Sequence, residues 1–185
     1  MNQSTTSVSA ADNQALFALL LSIQGQDREA RAKAIEKATS VGTRAIVPLG
    51  GICSGSDRGA AKVAGEALRR IVHHAARPGA TSERKAAAIQ LLRMIRKEWP
   101  RRQRVDALYL LGLAGGSESV AAIAEQMKDQ DVGEEARMAL ERIPGSAATR
   151  ALQQALRTAP ADLRLAVEES LKRRTRRMRD VGIRK

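Results

Sequence analysis

Cys53, His73 and His74 are the only thiol and imidazole groups in this chain. They could serve as a three-ligand metal site, or Cys53 and His73 as a nucleophile pair. Neighbouring residues on a helix point about 100° apart, so His73 and His74 cannot chelate as an i, i+4 pair does. A thiol–imidazole pair also needs a third, orienting group, and none is evident. The structural alternative is a buried thiol and solvated imidazoles at a helix end, where a cationic histidine favours the dipole. The run Gly50 to Asp57, GGICSGSD, has the glycine spacing of a phosphate loop. Ser56 stands where that loop has its lysine, and no strand precedes the glycines. These residues give no catalytic group, no cofactor and no metal.

The elements that would carry any site are helices. Asp131 to Ile143, DVGEEARMALERI, places Val132, Ala136, Ala139, Leu140 and Ile143 at i, i+4, i+7, i+8 and i+11, one apolar stripe at the helical period. A small-then-large pair recurs at Ala34-Ile35, Ala67-Leu68, Ala107-Leu108, Ala139-Leu140 and Ser170-Leu171, and the large residues are spaced 33, 40, 32 and 31 apart. Units of this length, each with two short helices, stack into an α-solenoid. Phe17, Trp99 and Tyr109 are the only aromatics, and alternating β-branched runs are absent. The expected fold class is all-α, a solenoid of about five helix-turn-helix units. Pro48 should kink its helix or confine it to the opening turn. Arg104 stands where Ala136 stands in the fourth unit, so the third unit fits the pattern less well there.

The arrangement AIVPL, a turn with Asp57, then Ala64, Ala67-Leu68 and Ile71 resembles a HEAT repeat. The fourth unit, SVAAIAEQMKD followed by Asp131, Ala136, Ala139-Leu140 and Ile143, is similar. The short HEAT-like form of phycobilisome lyases and bacterial scaffold proteins is the nearest in type. The resemblance spans residues 12–174 and implies an architecture rather than an activity. DNA alkylation-repair glycosylases share the fold type and place aromatics and a carboxylate beside a lesion. Trp99 and Asp106 do not reproduce that constellation, and no residues identify a bilin pocket.

The expected organisation is a flexible leader at 1–11, the repeat domain at 12–174 and a basic C-terminal arm at 175–185. Formal net charge is +12, and it comes in blocks. Residues 69–104 carry 11 Lys/Arg against 2 Asp/Glu, residues 105–171 carry 6 against 11, and residues 172–185 carry 8 against 1. A basic middle and a basic end flank an acidic segment, which makes an anionic partner plausible without a uniformly basic coat. A single cysteine makes no internal disulfide, the start lacks the features of a secretion signal, and the longest apolar run, Ala15 to Ile23, falls well short of the roughly 20 residues that span a bilayer. A cytoplasmic location and no membrane partner follow as expectations.

Two positions after each large residue stand Lys37, Arg70, Leu110, Arg142 and Arg173. With Arg69, Arg96, Lys97, Arg174, Arg176 and Arg177, the four basic members of that series are the candidate partner-binding residues. Second helices line the concave face of HEAT solenoids, so the resemblance implies a contact ladder there. The expected function is a non-catalytic protein-interaction scaffold or adaptor. The alternative is a nucleic-acid-binding module using the basic blocks, against which the scarcity of aromatics counts, since they would stack on bases.

Overall fold

A computed structural model of the chain describes residues 9–158 and 161–183, with side chains described for 9–157 and 163–177. Among the described residues there are ten α-helices, two short 3-10 turns and no strand. The chain divides into two compact units, Met1–His74 and Ala75–Lys185.

The first unit holds α1 (Ala10–Gln24), α2 (Arg28–Val41), α3 (Ile46–Cys53) and α4 (Arg58–Ala75). Polar caps set its helix starts. Ser9 Oγ accepts from the Asp12 amide at 3.1 Å, Asp27 Oδ1 from Glu29 N at 2.9 Å and Asp57 Oδ1 from Ala60 N at 3.0 Å. Gly42, at φ 80°, makes the turn out of α2. A 3-10 turn over Thr43–Ala45 then leads into α3 and puts Pro48 in the first α-turn, where a missing N–H costs nothing. The helix is therefore not confined to its opening turn: α3 continues past Pro48 to Cys53. α1 packs on α2 and α3, and its buried residues are Leu19 and Ile23. α2 buries Ala34 and Ala38, while Ile35 is only half-buried.

The second unit holds α5 (Thr81–Met94), α6 (Arg101–Ala114), α7 (Val120–Gln126), α8 (Gly133–Arg142), α9 (Ser146–Thr158) and α10 (Ala161–Ile183). α6 packs against α8 and α8 against α10, with α5, α7 and α9 behind α6, α8 and α10 respectively. Arg101 at the start of α6 donates to Asp131 O just before α8, and Arg142 at the end of α8 lies over Tyr109 late in α6. The two helices therefore run the same way. The α8 stripe is wholly inside: Val132, Ala136, Ala139, Leu140 and Ile143 are all buried. Leu140 and Ile143 each contribute about 1.5–3 kcal/mol by leaving water.

Arginines join the helices where the apolar stripe is interrupted. Arg31 and Arg104 each stand four residues before the large residue of their unit. Arg31 Nε donates to Ile23 O at 3.1 Å and its NH2 to Asp57 at 3.0 Å. Arg104 repeats the clasp, with Nε to Ile95 O at 3.2 Å and NH2 to Asp129 at 2.7 Å. Gly59 makes room for the first, since a Cβ there would sit 2.6 Å from the Arg31 guanidinium. Arg104 is thus no misfit in the third unit: its stem occupies the small-residue position and its head ties off the carbonyl end of α5. It also reaches forward to the residues between α7 and α8.

The 3-10 turn over Ser117–Ser119 before α7 matches Thr43–Ala45 before α3. Ser119 corresponds to Ala45, and both are fully buried. Its hydroxyl has no hydrogen-bond partner among the described residues. Ser119→Ala is therefore expected to raise stability by about 1 kcal/mol, because it removes an unpaired buried hydroxyl. Leu140→Asp should cost several kcal/mol by burying a bare carboxylate, whereas Arg142→Asp should cost only about 1 kcal/mol. Thermal melts of the three variants check this order.

Candidate interaction surface

The candidate basic residues occupy different environments. In the first unit Lys37 on α2 and Arg69 and Arg70 on α4 are exposed, as is His73 in the last turn of α4. In the second unit Arg96 and Lys97 are exposed in the turn after α5, and Arg173, Arg176 and Arg177 are exposed on α10. Arg142 is half-buried. Its guanidinium carbon sits 4.9 Å from the centroid of the Tyr109 ring, a cation–π contact. The Arg142 stem lies close over Gly112, where an added Cβ would be 3.1 Å from Cδ. Arg142 and Arg173 stand at the same register on adjacent helices, and Arg173 is 3.7 Å from Glu141.

Arg174 corrects the expectation of a partner-binding residue. It is 6% exposed. Its NH1 donates to Leu140 O at 2.9 Å, Glu141 O at 2.8 Å and Ile143 O at 2.6 Å, its NH2 to Gly145 O at 2.8 Å, and its Nε to Thr149 Oγ1 at 3.1 Å. The last carbonyls of α8 have no partner inside the helix, and a five-donor fork from α10 satisfies them together. Burial, and then the nearby Arg177, lower its pKa. The helix also continues past position 175: α10 runs unbroken to Ile183, where the sequence suggested a separate arm. Residues 184–185 of that arm, and 1–8 of the leader, lie outside the described residues.

The carboxylates of the acidic segment are largely engaged within the unit. Of the 11 between residues 105 and 171, at least seven form ion pairs: Glu118 with Arg84, Glu125 with Lys128, Asp129 with Arg104, Glu134 and Glu141 with Arg137, Glu135 with Arg101 and Glu169 with Lys172. Arg137 is buried between Glu134 and Glu141 and also donates to Ser170 Oγ, while Ser170 Oγ donates to Glu141 at 2.8 Å. Burial pushes the Glu141 carboxyl up, but the Ser170 and Arg137 hydrogen bonds outweigh it and leave the pKa below the ordinary glutamate value. The sequence does carry a trace of this network, since Glu134 and Glu141 flank Arg137 at i−3 and i+4. Its cross-link to Ser170 has no such signal.

Beside Arg142 the second unit exposes Tyr109, 47% accessible, together with Leu113 one turn on and Met138 one turn before Arg142 on α8. This aromatic, aliphatic and guanidinium cluster was not apparent from the spacing, which set Leu110 in the series with Lys37, Arg70, Arg142 and Arg173. Leu110 is buried, and Tyr109 takes the outward place.

The residues with candidate chemistry stay apart from one another's use. Gly50 to Cys53 lie within α3, and Ser54 to Asp57 make the turn into α4. Cys53 is half-buried at 3.7 Å from Ala61 O, and His73 and His74 face solvent. Among the described residues no three His, Cys, Asp or Glu side chains gather at metal-binding distance, and no helix is long and apolar enough to cross a membrane.

The Arg104 hydrogen bond, and then the Asp131 amide, hold the Asp129 carboxyl below the usual carboxylate range. A carboxyl depressed in the folded state contributes stability that is complete above the unfolded value, about 3.9, and is lost as pH falls through the folded one. Melting temperature should therefore drop in that acid window, and Asp129→Asn should flatten the drop. Arg104→Ala, by stranding Asp129 and the Ile95 carbonyl, should cost about 3 kcal/mol at neutral pH in chemical denaturation. No protein-family model matches this chain, and no curated protein matches it in sequence.

Proposed function

We propose that this chain is a non-catalytic protein-interaction scaffold, an α-solenoid of HEAT-like repeats acting in the cytoplasm. One observation carries the reading: the outward cluster of Tyr109, Leu113, Met138 and Arg142 on the adjacent helices α6 and α8. Tyrosine, methionine and arginine are the side chains enriched where proteins meet, and a tyrosine–arginine pair at the centre of a patch is typical of an energetic hot spot. The Arg142 guanidinium covers one face of the Tyr109 ring, which takes away a surface on which a base would stack. Arg142, and Arg173 at 3.7 Å from the neighbouring Glu141, put basic charge beside the cluster, and Asp106, exposed one turn before Tyr109, adds a single carboxylate. A partner segment with an apolar anchor followed by carboxylates suits it.

The second reading, a nucleic-acid module, draws on the exposure of Lys37, Arg69, Arg70, Arg96, Lys97, Arg173, Arg176 and Arg177. Capture from native lysate, with and without nuclease, separates the two. Scaffold partners should persist after nuclease and be lost from a Tyr109→Ala/Arg142→Ala chain, with a loss of at least 2 kcal/mol expected for a hot-spot pair. If instead purified duplex or RNA binds with a steep log–log salt slope, and Gln at Arg142 and Arg173 flattens it by about 1.8, two phosphate contacts are being made there and the scaffold reading fails.

A further inference from the structure

We propose that α1 is the contact face of a homodimer, with two copies of this chain packing their α1 helices antiparallel about a twofold axis. Phe17 and Leu21 are 67% and 60% exposed, one turn apart on the outward face of α1. Ala10, Gln14, Ala18 and Gln24 are exposed with them. The end helix of a stack normally turns a polar face to water, and this one turns an apolar one.

Two features make a second copy the occupant. The first is charge. α1 contains no Lys, Arg or Glu in a chain with a formal charge of +12. Its one charged residue, Asp12, is held by Arg44 at 2.8 Å. Two such chains repel over a surface crowded with cations, and α1 lets them meet without bringing like charges together. The second is register. The outward stripe reads Gln14, Phe17, Leu21, Gln24, with spacings of three, four and three. That order of spacings is the same in both directions. A twofold axis level with Leu19 therefore sets Phe17 of each copy against Leu21 of the other, and Gln14 against Gln24, so the same contacts are made twice, as an isologous interface requires. Ala18 beside the axis allows close approach of the two backbones. Leu20, Gln24, Pro48 and Ile52 line an adjoining groove of about 500 Å³, and the incoming Phe17 lies at its mouth.

The inference does not rest on the scaffold reading: the Tyr109 cluster is in the other unit, and its partner capture can survive or fail independently of the dimer. Sedimentation equilibrium of the full chain should give twice the monomer mass of 19.9 kDa. Phe17→Glu and Leu21→Glu should each return it to the monomer mass with unchanged helical circular dichroism. Leu165→Glu, which alters a leucine equally exposed on α10, should leave the dimer intact. In a Cys53→Ser background, a Phe17→Cys chain mixed with a Leu21→Cys chain should form an interchain disulfide in preference to Phe17→Cys alone. A monomer throughout a concentration series, or a dimer that survives both glutamates, overturns the proposal. So does preferential self-linking of Phe17→Cys, or dimerisation that appears only when residues 1–8 are deleted.

Discussion

The carbonyl ends of short helices are the constraint on which this structure depends. A helix leaves its last four carbonyls without internal partners, and the ten helices among the described residues have many such ends to satisfy. Here arginine side chains from other helices do much of that work. Arg31 bonds Ile23 O, Arg84 bonds Ala114 O, Arg104 bonds Ile95 O, and Arg174 gathers four carbonyls around the end of α8. Guanidinium suits the task because its donors fan out in one plane and it keeps its charge at any physiological pH.

That use of arginine changes what the basic composition means. A formal charge of +12 reads at first as a surface for an anion, yet several of its cations are inside, bonded to main chain. The acidic block is similarly engaged, with carboxylates such as Asp129 and Glu141 closing contacts between helices. Charge counted along a sequence and charge available at a surface are therefore different quantities here. What remains outward near Tyr109 is a smaller basic patch with an apolar centre.

The helical period and the stripe of α8 were legible because they rest on local rules: side chains repeat every 3.6 residues, and every member of that stripe is buried. Arg104 was read as an interruption, since a charged residue at a small-residue position looks like a mismatch until the aspartate 25 positions later is brought beside it. Arg174 was grouped with Arg173, Arg176 and Arg177, because a run of like charges gives no sign of which member points inward. That choice is made by the end of α8, more than 30 residues earlier. Leu110 was placed outward by spacing alone, yet it is buried and Tyr109 beside it is exposed, with α6 and α8 close together at Gly112.

The clasps also order the events of synthesis. A chain emerging from a ribosome presents its N-terminal end first, and three of these locks are supplied by a residue still to come. The end of α1 is tied when Arg31 arrives, and that arginine waits in turn for Asp57. The end of α5 waits for Arg104, and Arg104 for Asp129. The end of α8 waits for Arg174, whereas the end of α6 meets Arg84, a residue the ribosome has already delivered.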